Sequence, residues 1–371
     1  MKTGTSLKRL TSKLRKIWYS EADVSFINPV NLILFLSSWI YRAVVSVRNR
    51  MYDHGIFRQN KLPCKVISIG NITVGGTGKT PMVIMLAKLL KQRTYKPAIL
   101  SRGYGGNAKA PITIVSDGVK IRVGHAEAGD EPILIAQSVE GIPVITGPER
   151  TRTGDYAVKN LGADVLILDD AFQHRSIFRD IDIVLLNREK PFGNGYLLPM
   201  GPLREPPDAL NRAHFQIWKD AAIDGRFPKY CEQGIGTFFP VLSGYLRPKD
   251  ILRGNTGDLL PTEHIRGKKI CAFAGIGSPE NFGETIASLG GTLVSFLPFP
   301  DHHLYTREDI AKIRREMSAS GAESILTTEK DGIRLNDFPD FLKDVLILRV
   351  EMEMLPSQEE FAVLIIDRLK K

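Results

Sequence analysis

An apolar run that ends in glycines, a lysine and a threonine occupies Val66–Pro81, with the sequence VISIGNITVGGTGKTP. Glycines let backbone N–H groups approach an anion, a lysine reaches the outer phosphates, and a threonine hydroxyl is a ligand for Mg²⁺. The pattern predicts a buried strand, a phosphate-binding loop and a helix whose N-terminus faces the phosphates. The residues assigned to the nucleotide are Thr73, Val74, Gly75, Gly76, Thr77, Gly78, Lys79 and Thr80. Thr73 stands where the usual spacing has a glycine, and a glycine-rich turn without a ligand is the alternative.

Two aspartates follow a second apolar run, Asp164–Leu168, which has the composition of a buried strand. An acidic residue at the end of such a strand, downstream of a phosphate loop, holds Mg²⁺ or its water shell. Asp169 and Asp170 are therefore predicted metal-side residues, together with the hydroxyl of Thr80. The alternative is a strand end that faces solvent.

Three further acidic or imidazole groups are candidates for chemistry. Asp130 opens a predicted helix beside Glu131, and its default role is to cap that helix. The competing interpretation places both carboxylates beside the polyphosphate. Asp301 and His302 follow a predicted strand, and a carboxylate paired with an imidazole is an arrangement that handles protons. The adjacent His303 points in a different direction, so a double metal ligand is not expected.

Two loops and one hairpin complete the predicted surroundings. The glycine-rich segment Ser101–Gly106 ends a strand, where parallel sheets contact ligands, although turn geometry alone would also explain its glycines. Lys190–Pro207 is longer than a connection requires, which suggests a substrate or lid role. Within it, Arg204 either holds an anion or is simply exposed. Ile112–Val115 and Val119–Val123 are predicted to pair as a hairpin.

The length and composition indicate a globular protein of two domains. The chain has 371 residues, of which 43% are hydrophobic and 25% charged. Its three cysteines are far apart and match no metal or disulfide spacing, which favours a reducing cytosol. The formal net charge of +9 favours an anionic partner. Because basic residues cluster within positions 1–20 and an apolar segment follows, that partner is predicted to be a membrane surface rather than a nucleic acid.

The apolar segment Pro29–Val47 shows helical periodicity. The uncharged part is too short to span a bilayer, so the helix is predicted to lie in the interface, where Trp39 and Tyr41 suit the depth. Packing of an amphipathic helix on its own domain is the alternative. The apolar face comprises Ile33, Leu36, Ile40, Ala43 and Val47, and the other face comprises Ser38, Arg42, Ser46 and Asn49.

Several motifs, in one order, resemble the tetraacyldisaccharide 4'-kinase family, the lipid A 4'-kinases. They are Thr73–Pro81 with threonine where glycine is usual, Ser101–Gly105, Gly129–Pro132, Leu168–His174, Gly201–Glu205 and Phe299–His302. The resemblance extends from about residue 25 to residue 335 and is far more specific than the phosphate loop alone.

The resemblance implies an ATP- and Mg²⁺-dependent kinase that phosphorylates the 4'-hydroxyl of a tetraacylated glucosamine disaccharide 1-phosphate. It implies that Asp130 is the catalytic base, that His302 pairs with it and that Lys79 stabilises charge on the transferring phosphate. Thr80 with Asp169 or Asp170 would hold Mg²⁺. The remaining candidates are Glu131 on the metal side and, toward substrate, Arg102, Tyr104, Gln173, His174, Arg204 and Asp301.

The expected architecture is α/β: a P-loop NTPase-like parallel-sheet domain at 51–230 and a smaller α/β domain at 231–371 that closes over the site. Residues 1–50 are expected to associate with the cytoplasmic face of the inner membrane of a Gram-negative bacterium. We expect a lipid disaccharide substrate, no nucleic acid and no obligate protein partner. A membrane-recruited P-loop ATPase switch is the alternative; such switches carry an additional lysine ahead of the glycines, where this chain has Val74.

Overall fold

The computed structural model describes residues 14, 17–19, 28–220, 241–254, 256–277 and 279–371. The basic residues at positions 2–16, for which a membrane contact is predicted, and Cys231 lie outside the described residues. The α-helices within the described residues are α1 Pro29–Asp53, α2 Lys79–Gln92, α3 His125–Ala128, α4 Asp130–Ser138, α5 Arg150–Leu161, α6 Pro279–Ser288, α7 Arg307–Ser320, α8 Glu329–Arg334, α9 Pro339–Leu342 and α10 Gln358–Leu369. The strands are β1 Lys65–Gly70, β2 Pro97–Ser101, β3 Thr113–Asp117, β4 Pro143–Thr146, β5 Val165–Asp169, β6 Ile181–Asn187, β7 Phe215–Lys219, β8 Val241–Arg253, β9 Leu259–Leu260, β10 Lys269–Ala274, β11 Thr292–Pro298, β12 Ser324–Thr328 and β13 Val345–Leu355.

The chain forms two compact α/β units. Unit 1 contains residues 1–102, 147–245 and 353–371, and unit 2 contains residues 103–146 and 246–352. The predicted domains were continuous stretches, whereas segment 103–146 groups with 246–352. The reason is that a sequence pattern locates strands but does not reveal with which later segment each one packs. The three functional ranges predicted from sequence stay a prediction.

Unit 1 is built on a parallel sheet in the strand order β8–β7–β6–β1–β5–β2. Its central strands β1 and β5 are rich in Val, Ile and Leu and buried almost throughout, as expected for strands covered on both faces. Their register places Ile69 beside Asp169, so the carboxyl end of β5 lies next to the strand that leads into the phosphate loop.

Unit 2 has a parallel sheet in the order β11–β10–β12–β13. The predicted hairpin of Ile112–Val115 with Val119–Val123 forms only in part: an isolated antiparallel bridge joins Ser116 and Ile121, and Arg122 N–H donates to the Val115 carbonyl over 2.8 Å. The main partner of strand β3 is β4, which pairs with it antiparallel. The turn at Ser116–Gly118 is therefore present, but the longer ladder is with a strand farther along the chain.

Helix α1 is, in the part of the chain that the structure describes, the one helix long and apolar enough to cross a membrane by length and composition. Its predicted apolar face is exposed; for example, Ile33 is 64% and Ile40 68% exposed. Its other face packs on unit 1, where Ser38 is buried and donates to the Leu197 carbonyl over 2.9 Å. The helix thus packs on its own domain, as the alternative held, but it does so through its polar face and leaves the predicted apolar face exposed.

Candidate active site

The phosphate loop of unit 1 has the backbone geometry that its glycines permit. Gly75 and Gly78 have φ angles of +132° and +88°, a region that side chains with a Cβ rarely adopt. Gly78 precedes the first residue of α2, so the helix begins at Lys79 with free N–H groups at its N-terminus. Inside the loop, the amide of Asn71 donates to the Thr77 hydroxyl over 3.1 Å. The loop is thus shaped to accept an anion.

The predicted substrate loop supports the phosphate loop by main-chain hydrogen bonds. Val74 N–H donates to the Pro202 carbonyl over 2.8 Å, and Arg204 N–H donates to the Ile72 carbonyl over 2.7 Å. The side chain of Gln173 donates to the Asn71 carbonyl over 2.8 Å. Gln173, predicted as a substrate candidate, therefore holds the loop that leads to the phosphate site.

The two aspartates after β5 have different partners. Asp170 accepts from Arg204 Nη1 at 2.9 and 3.0 Å and lies 3.7 Å from Lys79 Nζ. Burial raises the pKa of Asp170, but the charges of Lys79 and Arg204 outweigh burial and lower that pKa overall. Asp169 is buried and accepts from the Ser101 hydroxyl over 3.1 Å. Asp170 thus forms ion pairs with the cations Lys79 and Arg204. Of the two roles considered for Arg204, holding an anion or simple exposure, the structure shows it holding the Asp170 carboxylate.

The residues present fit a magnesium ion that is completed by nucleotide oxygens. Thr80 is buried in the first turn of α2, and Asp169 ends the strand beside β1. Both offer hard oxygen donors, which Mg²⁺ prefers. Among the described residues no group of three or more His, Cys, Asp and Glu is gathered to hold a metal. A protein supplying one or two ligands, with phosphates and water as the rest, is the usual arrangement for Mg²⁺ in nucleotide sites.

Arg150 is a further cation of this site, and it lies outside every motif recognised in the sequence. It is buried, its Nη1 donates to the Gly147 carbonyl over 2.7 Å, and its charge interacts with Asp169 and Asp170. Burial lowers its pKa to about 10, so it stays charged near neutral pH. The available signal was its position in the first turn after a strand end, where parallel sheets bind ligands.

His174 is a neutral group near these cations. Burial and the charges of Arg150 and Arg179 lower its pKa to about 4. Its Nε2 lies 3.0 Å from the Ser176 hydroxyl. The ring therefore offers a hydrogen bond rather than a charge at neutral pH.

Unit 2 brings together the two residues predicted to handle the proton. Asp130 Oδ2 lies 3.5 Å from His302 Nδ1, although 172 residues separate them in the chain. Asp130 does not cap its helix: the cap residue of α4 is Gly129, and Asp130 is the first helical residue. Capping therefore does not explain the aspartate, and its carboxylate is directed to other partners.

Arg334 is the strongest of those partners and was not considered from the sequence. Its Nε donates to Asp130 Oδ2 over 2.6 Å, and its Nη2 lies 3.3 Å from His302 Nδ1. Burial raises the pKa of Asp130, whereas the hydrogen bond of His302 and the charge of Arg334 lower it, with a lowered pKa as the net result. Arg334 lies three residues after Asp331, one helical turn along α8. That spacing was the available signal.

The other predicted residues of unit 2 fall into two groups. Glu131 forms an ion pair with Lys330 of α8. Asp301 Oδ1 lies 3.9 Å from His302 Nε2, and the exposed Tyr104 ring lies 6.0 Å from the imidazole of the same histidine.

His303 has a structural role. Its Nε2 lies 2.9 Å from Asp309, which forms the capping box of α7, and its ring stacks on Phe299. The two adjacent histidines are thus divided between different tasks.

Packing explains two glycines, Gly106 at the end of the predicted ligand loop and Gly129 just before α4. A Cβ on Gly106 would lie 2.3 Å from the Glu127 carbonyl, and one on Gly129 would lie 2.4 Å from the Tyr104 carbonyl. Close approach of two backbones therefore requires glycine at both positions. The exposed Arg102 and Tyr104 remain the substrate candidates of this loop.

The comparisons with known proteins agree over nearly the whole chain. The family described as Tetraacyldisaccharide-1-P 4'-kinase matches residues 30–370. A tetraacyldisaccharide 4'-kinase of Syntrophus aciditrophicus is 46% identical over 96% of this chain and 98% of its own length. One from Anaeromyxobacter dehalogenans (strain 2CP-C) is 40% identical over 88% and 86%. The crystal structure of LpxK from Aquifex aeolicus in complex with ATP has a TM-score of 0.75 and 31% identity, covering 92% of this chain and 99% of that one.

Proposed function

The chain belongs to the tetraacyldisaccharide-1-P 4'-kinase family, and we propose which of its residues carry out that family's reaction. It is a kinase that uses ATP to phosphorylate a tetraacylated glucosamine disaccharide 1-phosphate at the 4'-hydroxyl in lipid A biosynthesis. The observation that supports the assignment of roles most strongly is the meeting of Asp130 and His302 in unit 2.

Unit 1 holds the nucleotide. Lys79 and the N–H groups of the phosphate loop bind the phosphates, and Arg150 and Arg204 add positive charge near Asp169 and Asp170. Mg²⁺ neutralises phosphate charge when it is bound. Thr80 and Asp169 would hold it, because Asp170 is already paired with Arg204 and Lys79. Glu131 is a weaker candidate, since its carboxylate pairs with Lys330.

Unit 2 supplies the base. The 4'-oxygen attacks the γ-phosphorus, the bond to the bridging β–γ oxygen breaks, ADP leaves, and the hydroxyl proton passes to the Asp130 carboxylate. Phosphoryl transfer has a loose transition state in which the nucleophile needs little early deprotonation. A carboxylate of lowered pKa is therefore basic enough when it is correctly positioned.

The lipid substrate requires contact with a membrane, and α1 is the proposed contact. Its outward face carries exposed apolar side chains, while its inner face is bound to unit 1, for example by the Tyr41 hydroxyl donating to the Arg204 carbonyl over 3.1 Å. A helix fastened along one side suits the interface rather than a span. We place the enzyme peripherally at the cytoplasmic face of the inner membrane.

The reaction is tested by the acceptor dependence of ATP consumption. A kinase should release ADP in proportion to added lipid disaccharide, with label from γ-labelled ATP on the lipid. ADP release that responds to vesicles alone, with no label on the disaccharide, would instead indicate an ATPase switch. Deletion of residues 1–50 followed by vesicle co-sedimentation tests the anchor, and undiminished binding would refute it.

A further inference from the structure

We propose that Arg334 is a positioning residue for the reaction, because it fixes the Asp130 carboxylate and the His302 imidazole in one arrangement. The inference rests on the proposed role of Asp130 as the base. It concerns a residue that lies outside every motif singled out in the sequence.

The guanidinium of Arg334 is buried, and each of its nitrogens has a partner. Its Nε binds Asp130 Oδ2 at 2.6 Å, and its Nη2 lies 3.3 Å from His302 Nδ1. Its Nη1 donates to the Gly275 carbonyl at 3.0 Å and to Asp331 Oδ1 at 3.1 Å. A planar group with donors in a fixed fork therefore sets the two functional side chains at defined places relative to each other.

Asp331 prevents the guanidinium from moving. Its carboxylate is completely buried and accepts from Gly275 N–H, from the Tyr305 hydroxyl at 2.9 Å and from the Thr328 hydroxyl at 2.7 Å. With Arg334 as the fourth partner, this carboxylate is an anchor at the start of α8. The energetic cost of a buried charge is offset only while these partners stay in place, so the anchor is rigid.

Arg334 and Asp130 face the same ring nitrogen of His302. Its Nδ1 lies 3.3 Å from Arg334 Nη2 and 3.5 Å from Asp130 Oδ2. The guanidinium, the carboxylate and the imidazole therefore meet at one point, so a shift of the guanidinium would move both of its partners.

The His302 backbone supports the same orientation. Its N–H donates over 3.2 Å to the Gly275 carbonyl, which is also bound by Arg334, and its φ is +56°. That backbone conformation is uncommon for a residue with a side chain, and the surrounding hydrogen bonds hold it.

One oxygen of the base remains for the hydroxyl. In the ranges that the structure describes, both partners of the Asp130 carboxylate bind Oδ2. Oδ1 is thus the oxygen that can receive the proton of the sugar.

Within the described residues, His302 and Arg334 are the charged or titratable groups in contact with the Asp130 carboxylate, and both lower its pKa against the effect of burial. The other charged groups of the neighbouring elements contact one another: Glu131 pairs with Lys330, Asp331 with Arg334, and Asp301 lies near His302. Loss of the guanidinium would therefore remove one of the two groups that lower the pKa of Asp130.

The test is the pH dependence of single-turnover phosphate transfer by the full chain with ATP and the lipid acceptor. Arg334→Met should lower the rate of transfer about tenfold, which is less than the roughly 100-fold loss expected when the general base itself is removed. The affinity for ATP should change little. The acid limb of its profile should move up by about one pH unit or more, as expected when an opposite charge is lost. Arg334→Lys should return the limb toward the wild type while transfer stays reduced, because an ammonium cannot bind both partners in the same fork.

Control variants separate the possible failures. Ile325→Val trims a buried core side chain of unit 2 and should leave the pH limb in place. If Asp130→Asn transfers phosphate like the wild type, the role of Asp130 as base fails. If Asp130→Asn is inactive but the Arg334 variants keep the wild-type rate or the wild-type limb, only the inference on Arg334 fails. Should Arg334→Met not fold, the position of the limb and the rate of Arg334→Lys decide alone.

Discussion

The apolar face of α1 leads to a prediction whose size follows from the structure. Ile33 and Ile40 are 64% and 68% exposed, so about two thirds of each side chain is available for transfer into a membrane interface. Full burial of an isoleucine side chain contributes roughly 1.5–3 kcal/mol, which gives about 1–2 kcal/mol for each residue here. Replacing both by serine should therefore weaken membrane binding by about 2–4 kcal/mol. With a factor of ten for each 1.36 kcal/mol, the lower value corresponds to about 30-fold weaker membrane binding. We expect the lower value because side chains in the interface are buried only to a shallow depth.

The assay is co-sedimentation of the full chain with vesicles that contain anionic lipid, across a range of lipid concentrations. The matched control is Val363→Ser with Leu364→Ser, which removes exposed apolar surface from α10 of the same unit. We expect the control to bind like the wild type. Equal partition of the Ile33→Ser, Ile40→Ser protein and the control would refute the assignment of this face to the membrane.

Two further predictions concern the nucleotide and the pH. Lys79→Ala should lower ATP affinity at least about tenfold and the transfer rate about 100-fold, because a phosphate-binding charge is lost; unchanged ATP titration and turnover would discredit the phosphate loop. Burial raises the pKa of Glu329 from 4.5 to about 7, so the folded protein keeps a proton that the unfolded chain has released, and stability falls as pH rises through that window. Glu329→Gln keeps an acceptor for the Val350 N–H. Between about pH 5 and 7.5, the free energy of unfolding should fall by about 2 kcal/mol less in this variant than in the wild type. An equal fall in the two proteins, measured by urea unfolding, would contradict this.

Much of the fold could be predicted from local sequence patterns. The predicted strand Asp164–Leu168 lies within one residue of β5, and the helix predicted to open at Asp130 begins there as α4, because strand burial and helix starts depend on neighbouring residues. The pairing of strands could be predicted less well. The main partner of β3 is β4, beyond the two intervening helices α3 and α4, whereas the turn signal favoured the nearer segment.

The site shows the same division. Lys79 and Thr80 could be predicted as site residues because a loop that binds phosphate needs fixed residue types at fixed spacing. The direction of the apolar face of α1 was not decidable, since a stripe that faces a core and one that faces a membrane have the same periodicity. Arg334 was missed because its one local signal, the spacing of three residues from Asp331, is that of any helical ion pair. Its importance comes from Asp130 and His302, which contact it from distant parts of the sequence.

The central claim is that unit 1 holds ATP while Asp130 of unit 2 accepts the proton, and these two tasks can be measured apart. The most direct measurement is single-turnover transfer from γ-labelled ATP to the lipid disaccharide by Asp130→Asn, at saturating ATP, beside a titration of ATP binding. We expect at least about 100-fold slower transfer with ATP affinity close to that of the wild type. Transfer at the wild-type rate would contradict it, and so would a loss that ATP binding fully explains.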